Sequence, residues 1–128
     1  MPDMCYKWLM KEIKHIFEPN PLACGQAVIA MAACADVNEV IELVGTDRET
    51  TLADMKAAFL HYGFEVSPDR LLAHSVSDLP QTALLSLETP ECWHWSFYAN
   101  GRVYDPKFGV LDGFPLSNRK YYWEINAK

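Results

Sequence analysis

Three residues of this sequence combine the side-chain types and the setting needed for nucleophilic chemistry: Cys24, His94 and Asp105. Cys24 and Gly25 stand in NPLACGQAVIAMAA, just ahead of a small and apolar run, where a helix N-terminus is expected. An ordinary thiol, with a pKa of about 8.5, is only slightly ionised at neutral pH, so a nucleophilic cysteine needs an imidazolium, a helix N-terminus, or both. Gly25 is expected to remove side-chain bulk so that a substrate carbonyl can approach. The imidazole comes from WHWSFYANGRVYDP, residues 93–106, where Asn100-Gly101 signals a two-residue hairpin turn. That turn sets Phe97 against Tyr104 and Ser96 against Asp105, with His94 on the diagonal from Asp105, about 7 Å away at the backbone. His94 would then take the Cys24 proton and return it to a leaving amine, while Asp105 holds the ring in its tautomer.

The same register puts Trp93, Trp95, Phe97, Tyr104, Pro106 and Phe108 on a core face, and His94, Ser96, Tyr98, Val103, Asp105 and Lys107 on the other. Ser96 and Tyr98 are expected to touch ligand or face water, and Lys107 to be an exposed lysine beside a groove. Cys92 is the rival nucleophile, sharing a strand face with His94 but lacking a helix start. Otherwise Cys5, Cys34 and Cys92 are expected to be small buried apolar residues. His15, His61 and His74 have no paired acid.

The elements that must position these groups fall into a helical half and a strand half, an α+β order within a single domain over residues 1–128. Residues 4–17 fit a helix stripe (Trp8, Leu9, Ile13, Ile16) or a short strand, and Pro19 and Pro21 then enforce a non-helical approach. Residues 24–34 suit a buried central helix, apolar all round. A second helix spans 37–44, with Asp36 and Glu39 as a capping pair and Gly45 as its stop. A third follows the Thr51…Asp54 capping box, with Leu52, Met55, Phe59 and Leu60 at helical spacing and Gly63 past its end. Strands are expected at 64–66, 83–87, 93–99, 102–104 or a little beyond, and 121–125.

Composition narrows the function. The chain has 128 residues, 50% of them hydrophobic, enough for a core without staples, and its net charge of −6 gives no basic stripe for nucleic acid. The longest apolar run, Ala27–Ala35, is too short to span a membrane. The charged N-terminus MPDMCYKWLMKE does not suit a signal peptide, so a cytoplasmic chain is expected, with signal-independent secretion open. Cysteine spacing matches neither a disulfide framework nor a zinc site, and no EF-hand spacing is present, so neither a metal nor another cofactor is expected.

Cys24-Gly25-Gln26-Ala27 opening an apolar helix, a short helix ending at Val44-Gly45, His94 on a strand and Val103-Tyr104-Asp105-Pro106 on the next resemble the papain-like cysteine peptidase superfamily, over roughly residues 13–110. Within it the chain is most similar to the bacterial bacteriocin-leader-processing peptidases and their small single-domain relatives. The resemblance implies a papain-like fold, a buried central helix packed on a C-terminal antiparallel sheet, and a peptide or protein substrate. It also implies Cys24 as nucleophile, His94 as base and acid, and Asp105 as the orienting residue, with hydrolysis through a thioester. At 128 residues no transporter is expected on this chain. The family's oxyanion-donating glutamine, six residues before the nucleophile, is here Glu18. A protonated Glu18, Asn20 on a shifted loop, or Gln26 with the Cys24 amide could replace it. Two alternatives stay open: an amidase or deamidase acting on a cell-wall peptide or a glutamine side chain, and a non-catalytic peptide-binding pseudo-peptidase.

Overall fold

A helix with no polar face must be covered on every side, and the fold is arranged to do that for residues 24–33. The computed structural model describes residues 13–128. Its first helix, α1 (Cys24–Ala33), is buried at every residue. Fully covering a residue such as Val28 or Ile29 contributes about 1.5–3 kcal/mol. α1 stops one residue short of the expected end because Cys34 turns left-handed, at φ 54°, and its amide closes onto Ala30 O. Cys34 is therefore an exposed helix stop rather than a buried apolar residue.

Helix α2 (Val37–Val44) starts on Asp36, whose carboxylate accepts from the Asn38 amide at 2.7 Å, and ends at left-handed Gly45. Glu39 does not complete a capping pair; it accepts from the Tyr62 hydroxyl at 2.6 Å. Helix α3 (Leu52–His61) carries the expected box, Thr51 and Asp54 bonding reciprocally. Met55 and Phe59 of its stripe are buried, whereas Leu60 is exposed.

The strands are β1 (Phe64–Val66), β2 (Leu71–Leu72), β3 (Thr82–Glu88), β4 (Trp93–Ala99), β5 (Arg102–Asp105), β6 (Gly109–Leu111) and β7 (Lys120–Ala127), with a short 3-10 turn at Val76–Asp78. They form one antiparallel seven-stranded sheet in the order β1-β7-β3-β4-β5-β6, with β2 also pairing β7. The chain thus has the expected α+β architecture, a buried helix laid on a sheet. The β4–β5 register is the expected one, Phe97 opposite Tyr104 and Ala99 opposite Arg102.

One consequence of that register differs. Both sheet faces are covered: Phe97, Ala99, Tyr104 and Leu84 pack with α1 and α3, while Leu85, Leu87, Tyr98 and Val103 form a second cluster against Val76, Leu79 and Phe114. Tyr98 belongs to that second cluster. Trp93 and Phe108, expected in the core, are 45% and 46% exposed. Strand β5 ends at Asp105, so Phe108 lies in the turn to β6 rather than opposite β4.

Residues 13–17 form neither helix nor strand, and Trp8, Leu9 and Cys5 lie outside the described residues. Ile13 and Ile16 pack on the main core. Among the described residues no helix is long and apolar enough to cross a membrane.

Candidate active site

The most completely satisfied polar group of the sheet is the Asp105 carboxylate, which is fully buried. Its Oδ2 accepts from His94 Nε2 at 2.8 Å and from the Ser96 hydroxyl at 2.9 Å. Its Oδ1 accepts from the backbone amides of Lys107 (2.9 Å) and Phe108 (3.0 Å), closing the tight turn into β6. Burial raises the Asp105 pKa, but the hydrogen bond and charge of His94 and the two amides outweigh it, holding the carboxyl below its ordinary range. An ionised carboxylate only accepts, so the Nε2 that faces Asp105 carries a proton. Ser96 is thus a buried support of this pair, neither solvated nor facing ligand.

A second clamp comes from the N-terminal segment. His15 Nε2 lies 2.7 Å from Asp105 O, and the Glu18 amide donates to Pro106 O at 2.8 Å. His15 is therefore structural, holding β5 by its end. Glu18 sits beside the His94–Asp105 pair, and its pKa is raised, first by burial and further by Asp105, with His94 and Lys107 opposing.

Cys24 opens α1 and is 8% exposed. Its Sγ accepts from the Trp95 amide at 3.4 Å, which brings the thiol to the residue after His94. Cys24 and His94 line one pocket of about 280 Å³, yet no hydrogen bond joins Sγ to the imidazole among the described residues. Burial pushes the Cys24 pKa up to about 11, with Glu18 and Cys92 adding to the rise and the Trp95 and Gly25 amides opposing it. Cys92 is exposed and lines the same pocket, so it too is not the buried apolar residue expected.

Glu49 and Thr50 of the α2–α3 connection, residues 46–50, also line the pocket, a contribution not evident from the sequence. Gln26 Nε2 donates to Thr46 O (2.8 Å) and Arg48 O (2.9 Å), and Trp95 Nε1 donates to Thr50 O (3.2 Å). Gln26 is therefore a strut for this loop and not an oxyanion donor; its amide is spent, and its Oε1 is buried without a partner. Asn20 donates one amide N–H to Asp47 O and accepts from the Leu22 amide. Gly25 does not clear a path for substrate either. A Cβ there would lie 2.2 Å from Thr50 Oγ1, 2.9 Å from Met55 Sδ and 3.1 Å from Trp95 Cδ1, so the missing side chain lets the loop pack on α1.

At the mouth, Trp93 stacks on Tyr121 at 5.9 Å, the Arg119 guanidinium lies over the Trp93 ring at 5.2 Å, and Phe108 lies 6.0 Å from the His94 ring. Lys107 pairs with Glu91 rather than standing free in a groove. Among the described residues no cluster of three or more His, Cys, Asp or Glu could hold a metal ion.

No protein-family model matches this chain, and no curated protein matches it by sequence. Among solved structures it is similar to a double-glycine motif protease from an AMS/PCAT transporter, crystallised in complex with the leader peptide. The TM-score is 0.64 at 14% identity, covering 91% of this chain and 92% of that one. The likeness is one of fold, and it agrees with the papain-like architecture.

Proposed function

We propose that the protein is a cysteine-dependent hydrolase of peptide amide bonds, of the leader-processing peptidase type. The observation that carries this reading is that His94, paired with buried Asp105, lines the same pocket as Cys24, which opens a buried helix. In that reaction Cys24 starts protonated. As Sγ attacks the scissile carbonyl, its proton passes to His94 Nδ1 and the imidazolium is stabilised by Asp105. His94 then gives the proton to the leaving amine, a thioester forms on Cys24, and water hydrolyses it.

The developing oxyanion needs donors. With the Gln26 amide spent on Thr46 and Arg48 and Asn20 tied to Asp47, we assign this role to the Cys24 amide and the acid form of the Glu18 carboxyl. The raised pKa of Glu18 supports the second, because its acid form persists to a higher pH than that of an ordinary glutamate.

The test is cleavage of a pooled peptide library, read by mass spectrometry, with wild type and Cys24→Ala. Cleavage lost in the variant is expected; cleavage that survives it removes Cys24 from the mechanism. A second reading, peptide binding without turnover, is favoured by the raised thiol pKa and by the missing Sγ–imidazole bond. Peptides retained but never cut by wild type, at any pH, would support it.

A further inference from the structure

The pocket beside Cys24 has walls of two kinds. Trp93 and Trp95 supply indole surface, and the 46–50 loop supplies Glu49. Of the lining residues, Glu49 is the one with a carboxyl group, and no lysine or arginine lines the pocket. Among the described residues the Glu49 side chain makes neither salt bridge nor hydrogen bond. Its neighbours in the chain are tied down on both sides, Arg48 O by Gln26 and Thr50 O by Trp95 Nε1. The backbone on either side of Glu49 is thereby held, while Glu49 itself is exposed. Arg48 adjoins it in the chain but does not line the pocket, Lys107 pairs with Glu91, and Arg119 pairs with Glu88 at 2.9 Å. Arg119 also lies over the Trp93 ring, so this indole already takes one cation on its π system.

We propose that this pocket binds a cationic side chain, lysine or arginine, of a peptide substrate near the scissile bond, with Glu49 as its specificity-determining residue. A carboxylate beside indole faces complements an ammonium or guanidinium group, which gains an ion pair and a cation–π contact while its methylene stem lies on apolar wall. An acidic side chain would meet Glu49 with like charge and find no lining cation.

The inference rests on Cys24 as the reacting group, but binding alone tests it. Fluorescein-tagged glycine/alanine peptides bearing one central Lys, Gln or Glu are titrated into Cys24→Ala protein and followed by anisotropy. The lysine peptide is expected to bind about five- to tenfold more tightly than the glutamine peptide at low salt, with the gap narrowing as salt rises. Glu49→Gln should remove most of that preference by weakening the lysine peptide, and Glu49→Lys should turn it toward the glutamate peptide. Equal binding of all three peptides, or a lysine preference that survives Glu49→Gln, overturns the proposal. Wild type that cuts peptides with no basic preference sinks this inference and leaves the hydrolase reading intact. A Glu49-dependent preference in a protein that cuts nothing does the reverse.

Discussion

Replacing Asp105 by Asn keeps the shape of the carboxylate and changes its hydrogen-bond polarity. The Asn oxygen can still accept from the Lys107 and Phe108 amides, which lie 2.9 and 3.0 Å from Oδ1, so the turn into β6 should survive. The new NH2 then faces two donors, His94 Nε2–H and the Ser96 hydroxyl. Ser96 has a second acceptor, Tyr104 O at 3.4 Å, and His94 can move its proton to Nδ1. Because both donors have an escape, the loss should be about 1–3 kcal/mol rather than the larger cost of stranding a buried charge. Urea unfolding at neutral pH measures it. The wild-type advantage should fade in acid. A carboxyl whose folded pKa lies below its unfolded value stabilises above the unfolded value, and that stability is lost as the pH falls through the folded one. Activity should fall far more than stability, because a proton on Nδ1 leaves no base for the thiol; the equivalent change in a serine triad costs about 10⁴-fold. An Asn variant with near wild-type turnover would refute the argument from tautomer, and one with unchanged stability at every pH would refute the argument from the buried pair.

Gly25→Ala should destabilise the fold by about 1–3 kcal/mol even though alanine is the better helix former, because its Cβ would overlap Thr50 and press on Met55 and Trp95; a higher melting temperature would contradict this. Alkylation by iodoacetamide, mapped by mass spectrometry, should modify exposed Cys34 and Cys92 before Cys24, which should accelerate only as the pH climbs toward its value of about 11. Rapid Cys24 labelling at pH 6 would instead reveal a resting thiolate–imidazolium pair. Glu18→Gln provides an uncharged donor at every pH, so its peptidase activity should exceed wild type at neutral and alkaline pH by up to about 100-fold. The two should converge in acid as Glu18 protonates, and a variant slower than wild type throughout would give the glutamate another task.

The parts of this molecule legible in its sequence are those whose cause is local. Asn100-Gly101 fixed the β4–β5 register, and with it the meeting of His94 and Asp105; Thr51 and Asp54 fixed the start of α3. Strand alternation, by contrast, tells which side a residue faces and not what covers that side. Hence Trp93 and Phe108 were expected inside, and the second cluster around Leu85 and Val103 was not foreseen. Strand β6 was hidden because its turn is made by the Asp105 carboxylate itself, a bond no periodicity announces. The roles of Gly25 and Gln26 depend on a loop more than twenty positions away, and that of His15 on a carbonyl 90 positions away. Ser96 could have been found, since the register already set it opposite Asp105.

Those separations have a kinetic meaning. The thiol meets the Trp95 amide across 71 residues, and His15 meets Asp105 across 90, so the site is closed by some of the longest loops the chain can form. Contacts of high sequence separation repay their loop-closure entropy late in folding. During synthesis Cys24 emerges long before His94 and Asp105 exist to pair with it. A nascent chain therefore holds Cys24 before either His94 or Asp105, and the site is assembled only once these long-range contacts close.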